Sequence, residues 1–210
     1  YLLRTEHGTH ALEYLTNRGL TEDTINRFGL GFADVYRDDL YKYLKNKGYK
    51  DEEMKNSGLI RFDEKYGASD QFWNRVMYPI VDTNNRVIGF GGRVMGDGKP
   101  KYINTQETPV FDKSRNLYGL NFAKKSKRPG IIFCEGYMDV ISMHQAGFDN
   151  AVASLGTALT PGQVNLIKRY TDRVYLAYDS DEAGTKAALR ALGIMREFEM
   201  PARVISLKPY

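Results

Sequence analysis

The sequence has one cysteine among its 210 residues and no long apolar run. With Cys134 alone, the chain cannot form an internal disulfide or a cysteine-based zinc cluster, and it fits a reducing cytoplasm. Its apolar runs of about five residues at most are too short to cross a membrane. The chain starts at Tyr1 without a secretory signal or an initiator Met, so we expect it to be a segment of a longer cytoplasmic protein.

Positive charge is concentrated in the middle of the chain. Residues 71–128 contain eleven Lys and Arg against four Asp and Glu, whereas residues 1–70 contain eleven against thirteen and residues 129–210 eight against nine. A local excess of this size suits a polyanion such as a nucleic acid. A solvated basic surface is the alternative, and charge alone does not separate the two.

Strand and helix patterns alternate in the second half of the chain. Four segments are typical of strands, and a helical pattern follows each of the first three: GIIFCEG (130–136), NAVASLG (150–156), RVYLAYD (173–179) and ARVISL (202–207). This alternation predicts a four-stranded parallel sheet with helices on both faces, an α/β fold. The first half mixes short helices with a hairpin and predicts an α+β subdomain. We place the division in the KKSKRPG stretch, giving subdomains 1–127 and 128–210.

Three carboxylates follow the ends of two predicted strands. Glu135 ends the first strand, and Asp179 and Asp181 follow the third. Because ligands of open α/β sheets bind at the carboxyl ends of the strands, we expect these side chains to lie together. Carboxylates ~4 Å apart repel by roughly 4 kcal/mol at an effective dielectric constant of 20. A retained proton or a divalent cation relieves this repulsion, and oxygen ligands suit Mg²⁺ or Mn²⁺.

Helix capping explains the same aspartates without a metal. An Asp-Ser-Asp sequence between a strand and a helix supplies an N-cap and a first-turn acid that stabilise the helix. Asp181 alone is sufficient for this role. The presence of Glu135 at a second strand end favours the metal site and leaves capping open as the alternative.

Three segments resemble the Toprim motif set: FCEGYMDV (133–140), ASLGTALT (153–160) and AYDSDEAG (177–184). Bacterial primases, type IA and type II topoisomerases and some nucleases share this catalytic domain. Segment 75–119 closely resembles the basic region that precedes Toprim in bacterial replicative DNA primases of the DnaG type. Segment 17–33 resembles the helical start of the same RNA polymerase domain, so the resemblance covers nearly the whole chain.

The resemblance implies a fold and an activity. The fold is a Rossmann-like four-stranded parallel Toprim sheet with flanking helices, preceded by a mixed α+β basic subdomain. The activity is the synthesis of short RNA primers by metal-dependent nucleotidyl transfer. Its partners are a single-stranded DNA template and ribonucleoside triphosphates. Its cofactor is Mg²⁺, for which Mn²⁺ can substitute.

The resemblance also implies the site residues. Glu135, Asp179 and Asp181 match the metal-binding acids of the family, and Asp139 is a further acid nearby. Positions that hold template and nucleotides are matched by four basic residues, with a weaker fifth candidate at the end of the list: Arg18, Arg93, Lys101, Lys113 and Arg75.

The chain departs from the complete family pattern. It lacks a further acidic pair beyond the last strand, so we expect a Toprim subdomain truncated at its C-terminal end that makes primers weakly or not at all. It also lacks the zinc-binding domain, where zinc is expected, the helical bundle, and the domain that contacts the replicative helicase. We expect the longer protein to act at replication forks in the bacterial cytoplasm.

The main alternative function is that of another Toprim enzyme, a topoisomerase or a nuclease. The basic segment 75–119 argues against it because that segment matches primases, and none of the fifteen tyrosines stands out as a nucleophile. A non-catalytic Toprim scaffold is expected to lack some of the three acids. A phosphotransfer domain with an aspartyl phosphate leaves Glu135 unexplained.

Overall fold

The computed structural model describes Leu3 and residues 5–205. The chain forms two compact units, residues 1–79 with 88–111 and residues 80–87 with 112–210. The subdomain division at residues 127 and 128 stays a prediction. Among the described residues, no helix is both long and apolar enough to cross a membrane.

The first unit contains short helices and antiparallel strands. The helices are α1 (Thr9–Asn17), α2 (Glu22–Arg27), α3 (Asp39–Asn46) and α4 (Asp51–Asn56). The strands are β1 (Gly31–Ala33), β2 (Ile60–Asp63), β3 (Gly67–Asp70), β4 (Arg75–Val81), β5 (Val87–Val94) and β6 (Tyr102–Asn104), the hairpin end of β4 and β5 being grouped with the second unit. The short helices and the β4–β5 hairpin agree with the mixture that the sequence predicted for the first half of the chain.

Local chemistry explains where these helices start and end. Gly19 has a φ of +82°, a left-handed conformation that a glycine adopts without strain, and it follows α1 as its terminator. The hydroxyl of Thr21 accepts the backbone N–H of Thr24 at 3.3 Å and so caps the start of α2.

The main sheet of the first unit has the order β1-β4-β5-β6, with antiparallel β1–β4 and β5–β6 pairs. Along β4 the side chains of Val76, Tyr78 and Ile80 are fully buried in alternation. In β5, a Cβ atom at Gly92 would lie 2.6 Å from the ring of Phe72, so only glycine permits this close approach.

The second unit alternates strands and helices. Its strands are β7 (Ile131–Cys134), β8 (Ala151–Ala153), β9 (Val174–Ala177) and β10 (Ala202–Val204). Its helices are α5 (Leu120–Ala123), α6 (Tyr137–Gln145), α7 (Pro161–Ile167) and α8 (Glu182–Glu197). The strands form one parallel sheet in the order β10-β9-β7-β8. The predicted parallel sheet is therefore confirmed.

Helices cover this sheet because two of its strands, β7 and β8, are apolar on both faces. All four residues of β7 and all three of β8 are buried. The core of the unit includes Phe133, Val152, Leu176 and Met195, each with no exposed surface. Burying a side chain of this size contributes about 1.5–3 kcal/mol to folding.

Candidate active site

Strands β7, β8 and β9 end at the same level of the sheet. Cys134, the last residue of β7, is paired with Ala153 at the end of β8 and with Ala177 at the end of β9. Glu135 follows β7 directly and Asp179 follows β9 after Tyr178, at the carboxyl edge of neighbouring strands, and both residues keep exposed surface. This is the position at which open α/β sheets bind ligands.

The structure brings the carboxyl groups of Glu135 and Asp179 together. The pKa of Glu135 is raised first by partial burial, then by the charge of Asp179 and by a hydrogen bond with the Asp179 side chain. The charges of Asp139 and Asp181 raise it further. Asp179, Asp139 and Asp181 therefore all lie near enough to Glu135 to act on its carboxyl group.

Two of these acids also cap helices. Asp181 Oδ1 accepts the backbone N–H of Gly184 at 2.7 Å at the start of α8. Asp139 Oδ2 accepts the backbone N–H of Gly136 at 2.9 Å at the start of α6. The capping role of Asp181, which the sequence left open as an alternative, is therefore real. A carboxylate has two oxygen atoms, so capping a helix with one of them does not by itself exclude a metal-binding role.

A divalent cation fits the donor set of this edge. Nowhere in Leu3 and residues 5–205 do three His, Cys, Asp or Glu side chains lie close enough to enclose a metal ion. Magnesium does not need such a cage, because it is usually held by one or two carboxylates together with water and substrate phosphates. Glu135 and Asp179 supply such a pair, and a cation bound there would offset the repulsion between their negative charges.

Lys113 belongs to the same unit as the acids. It begins a short 3₁₀ helix, Lys113–Arg115, and its side chain is half-buried. Asp112 starts this turn by accepting the backbone N–H of Ser114 at 2.8 Å. The turn packs against α7.

Arg93 lies in the first unit, stacked on an aromatic ring. Its guanidinium carbon is 4.1 Å from the ring centroid of Tyr14, and its Nη1 donates to the carbonyl of Val94 at 2.9 Å. The Nε atom is buried and has no hydrogen-bond partner. Tyr102 lies opposite Arg93 in the β5–β6 pair and adds a second aromatic neighbour. The guanidinium is thus fixed in orientation.

Arg75 has a structural role in the first unit. Only 5% of the residue is exposed. Its Nη1 donates to the carbonyls of Gly92 and Pro100, both at 3.1 Å. Burial, followed by the charge of Arg61, lowers its pKa. The structure shows Arg75 bound to backbone carbonyls, and its role in nucleic-acid binding stays a prediction.

Arg18 and Lys101 are both exposed in the first unit. Arg18 follows the last residue of α1 and donates its backbone N–H to Tyr14. The backbone carbonyl of Lys101 accepts the N–H of Val94 at 2.9 Å, so Lys101 is bonded to the sheet through its backbone. Their binding roles stay predictions.

Two sets of contacts around the candidate basic residues were not predicted from the sequence. Tyr14 packs on Arg93, and Thr160 and Gln163 bind the backbone around Lys113. The residues in each contact lie far apart in the sequence, so no local sequence pattern predicts the contact. A capping-box pattern at Thr160 and Gln163 is visible in the sequence, but it predicts a helix start and nothing more.

Two family models account for almost the whole chain. Residues 1–124 match the DNA primase catalytic core, N-terminal domain, and residues 132–210 match the Toprim-like family. The chain belongs to the DNA primase catalytic core family. The resemblance seen in its sequence is therefore confirmed.

Curated relatives of this primase-family chain carry the same name. It is 47% identical over 203 residues to a protein named DNA primase from Clostridium acetobutylicum, covering 96% of this chain and 34% of the relative. It is also 47% identical over 186 residues to the DNA primase of Deinococcus radiodurans, covering 87% of this chain and 33% of the relative. The chain thus spans about a third of the length of these relatives.

Solved primase structures have the same fold. The Escherichia coli primase catalytic core superposes with a TM-score of 0.88 at 39% identity, covering 99% of this chain and 68% of that one. A structure described as the DnaG primase catalytic domain bound to single-stranded DNA gives a TM-score of 0.87 at 39% identity, covering 98% of this chain and 66% of that one. The α/β Toprim fold and the preceding α+β subdomain are confirmed.

Proposed function

We propose that this chain is the central part of an enzyme that synthesises short RNA primers on a single-stranded DNA template. The observation that carries the proposal is the meeting of Glu135 and Asp179 at the carboxyl edge of a Toprim sheet in a primase-family chain. The nucleotidyl donors are ribonucleoside triphosphates. Nothing in the relatives favours a topoisomerase or a nuclease.

Glu135 and Asp179 would hold the divalent cation, with Asp181 and Asp139 as further acids. A Toprim domain of the primase family implies a divalent metal, and the oxygen donors favour Mg²⁺, with Mn²⁺ as a substitute. The chemistry that such a cation supplies is the stabilisation of charge on the attacking and leaving oxygens of a phosphoryl transfer.

The residues of the chain contribute binding and orientation. Helix caps fix the backbone on which Asp139 and Asp181 stand, so the acids do not need to reorganise when a charged substrate arrives. Lys113, Arg93, Lys101 and Arg18 would bind phosphates of template and nucleotide, in agreement with the excess of positive charge between residues 71 and 128. Template binding is further supported by the related catalytic domain solved with single-stranded DNA.

The wider setting is part of the same proposal. We place the enzyme in the bacterial cytoplasm at replication forks, with zinc and the replicative helicase bound by domains outside these 210 residues. The relatives are about three times as long as this chain, which leaves room for such domains.

Primer synthesis tests the proposal directly. The chain, extended past Tyr210 to the length of its relatives, is given single-stranded DNA, labelled ribonucleotides and Mg²⁺ or Mn²⁺, and the products are sized. We expect short template-dependent RNA that disappears in Asp179→Ala. Cleavage of DNA without synthesis would contradict the proposal and would favour a Toprim nuclease.

A further inference from the structure

A buried glutamine in the second unit holds the backbone on which Lys113 stands. Gln163 has no exposed surface. Its Nε2 atom donates to the carbonyl of Lys113 at 2.9 Å and to the carbonyl of Asn116 at 3.0 Å. One side-chain amide therefore joins Lys113, the first residue of the 3₁₀ helix, to Asn116, the residue after the end of that helix.

The start of α7 completes this contact. Thr160 Oγ1 donates to the carbonyl of Ser114 at 2.6 Å. The backbone N–H of Thr160 donates to Gln163 Oε1 at 3.1 Å, which fixes the amide with its NH₂ group toward the 3₁₀ helix. A Cβ atom at Gly162 would lie 2.7 Å from the carbonyl oxygen of Ser114, so the glycine permits the close packing.

The Lys113 segment is thereby fixed at the carboxyl edge of the sheet. Tyr118, a few residues further on, exchanges backbone hydrogen bonds of 2.9 and 3.1 Å with Ala153, the last residue of β8. Ala153 is level with Cys134, after which Glu135 follows. The same strand ends therefore position the acids and the backbone at Tyr118, which follows the Lys113 turn.

A 3₁₀ helix of three residues has little internal hydrogen bonding, so its shape depends on outside partners. Three carbonyls between residues 113 and 116 have such partners in the side chains of Thr160 and Gln163. A helix start that needed capping alone would use only the bonds between Thr160 and Gln163. The two amide donors of Gln163 are instead directed away from α7 to the Lys113 turn.

We propose that Gln163 is a positioning residue that fixes the Lys113 backbone so that the ammonium group meets a phosphate at the carboxyl edge. This inference rests on the proposed function, in which Lys113 binds phosphate. The ligand chemistry is the phosphate of a ribonucleoside triphosphate or of a single-stranded DNA backbone. Gln163 itself contacts neither ligand and acts through Lys113.

A double-mutant cycle tests whether Gln163 acts through Lys113. Gln163→Met removes both donors at similar size, and Lys113→Ala removes the ammonium group. Affinities for a fluorescent DNA oligonucleotide and for a fluorescent ATP analogue are measured separately, at one fixed low salt concentration, which identifies the source of the phosphate. We expect each single variant to weaken the binding of the same ligand about fivefold, the size of one solvent-accessible ion contact.

The double variant separates positioning from general stability. If Gln163 acts through Lys113, then Gln163→Met causes less than about a twofold further loss in the Lys113→Ala background. Lys113→Arg keeps the positive charge. In that background we expect Gln163→Met to weaken ligand binding again. Independent, multiplying losses in the double variant would overturn the proposal.

Asn150→Leu is the matched control. Asn150 is another buried amide of the same unit and donates to the carbonyl of Gly130 at 2.9 Å, away from the Lys113 turn. We expect this variant to lower thermal stability without changing either affinity. If Gln163→Met fails to fold, Gly162→Ala displaces the same turn by steric overlap and is expected to show the same dependence on Lys113.

Failure of this inference is distinguishable from failure of the proposed function. Wild-type affinity in a folded Gln163→Met variant, with a loss in Lys113→Ala, would overturn only the positioning role. Wild-type affinity in Lys113→Ala would overturn the inference and the phosphate-binding role of Lys113. Primer synthesis that is lost in Asp179→Ala would still support the carboxylate site in either case.

Discussion

Asp181 Oδ1 accepts the backbone N–H of Gly184 at 2.7 Å, so an acid proposed to bind metal also caps α8. The two roles use different properties of the side chain. Capping requires an oxygen acceptor, which an asparagine also provides, whereas cation binding requires the negative charge. Substitutions at this position therefore separate the two.

We expect Asp181→Asn to retain the free energy of unfolding within about 0.5 kcal/mol, and Asp181→Ala to lose about 1 kcal/mol with the cap. Both variants are expected to lose stabilisation by added Mn²⁺, because both remove the charge. Denaturant unfolding with and without Mn²⁺ measures the two effects. An asparagine variant stabilised by Mn²⁺ as strongly as the wild type would exclude Asp181 from the metal site.

Gly184 permits the backbone of Asp179 to pack on the start of α8. A Cβ atom at Gly184 would lie 2.2 Å from the carbonyl oxygen of Asp179, which is too close for any contact. We expect Gly184→Ala to destabilise the fold by roughly 2 kcal/mol through this overlap and to displace Asp179.

Gly193 provides the matched control in the same helix. A Cβ atom there meets nothing within 4 Å. Gly193→Ala is expected to stabilise the protein by about 0.5–1 kcal/mol, since alanine has the higher helix propensity. Thermal or denaturant unfolding of both variants measures these changes in stability. Wild-type stability in Gly184→Ala would contradict the packing explanation.

The ring of Tyr14 orients the guanidinium of Arg93, with 4.1 Å between the guanidinium carbon and the ring centroid. If Arg93 binds nucleic acid, Tyr14→Leu should weaken binding of single-stranded DNA about fivefold, the equivalent of a cation–π contact of about 1 kcal/mol. Tyr14→Phe keeps the ring and should bind like the wild type. Fluorescence anisotropy at fixed salt measures both.

Tyr43→Leu is the control for this experiment, because Lys47 Nζ lies 5.6 Å from the Tyr43 ring in a comparable but exposed pair. It should leave DNA affinity unchanged. Equal losses in Tyr43→Leu and Tyr14→Leu would show that the effect is not specific to Arg93.

His7 forms an exposed ion pair with Asp34, with 3.0 Å between Nδ1 and Oδ2. The hydrogen bond with Asp34, followed by its charge, raises the pKa of His7 above 6.5. A raised histidine pKa adds stability that is fully present below the unfolded-state pKa and is lost as the pH rises through the folded-state value. We expect Asp34→Asn to lower the pKa of His7 in an NMR titration. An unchanged titration curve would show that the pair does not form in solution.

The second unit was predictable because its signals are local. Four short apolar runs, two of which (β7 and β8) are buried on both faces, and helix starts such as Thr160-Pro161 predict a parallel sheet from strand pattern and capping alone. The location of Glu135 and Asp179 followed, since the carboxyl ends of adjacent parallel strands meet at one edge.

The first unit was less predictable because its contacts are non-local. Asp70, for example, lies at the end of β3, accepts the N–H groups of Leu40 and Tyr41 at 2.8 and 2.9 Å and thereby caps the start of α3. The sequence made Arg75 a weaker candidate for nucleic-acid binding, and its positive charge does not reveal the two backbone carbonyls to which its guanidinium donates. Short elements such as β1 and α4 contain too few residues for a periodic signal.

Mn²⁺ binding tests the central claim most directly, because Mn²⁺ substitutes for Mg²⁺ at oxygen sites and its free form is measured by electron paramagnetic resonance. We expect the wild-type chain to bind Mn²⁺, and Glu135→Gln and Asp179→Asn each to weaken binding at least tenfold. Glu197→Gln, an exposed acid at the far end of α8, should bind like the wild type. Unchanged Mn²⁺ affinity in both Glu135→Gln and Asp179→Asn would contradict a metal site at this edge of the sheet.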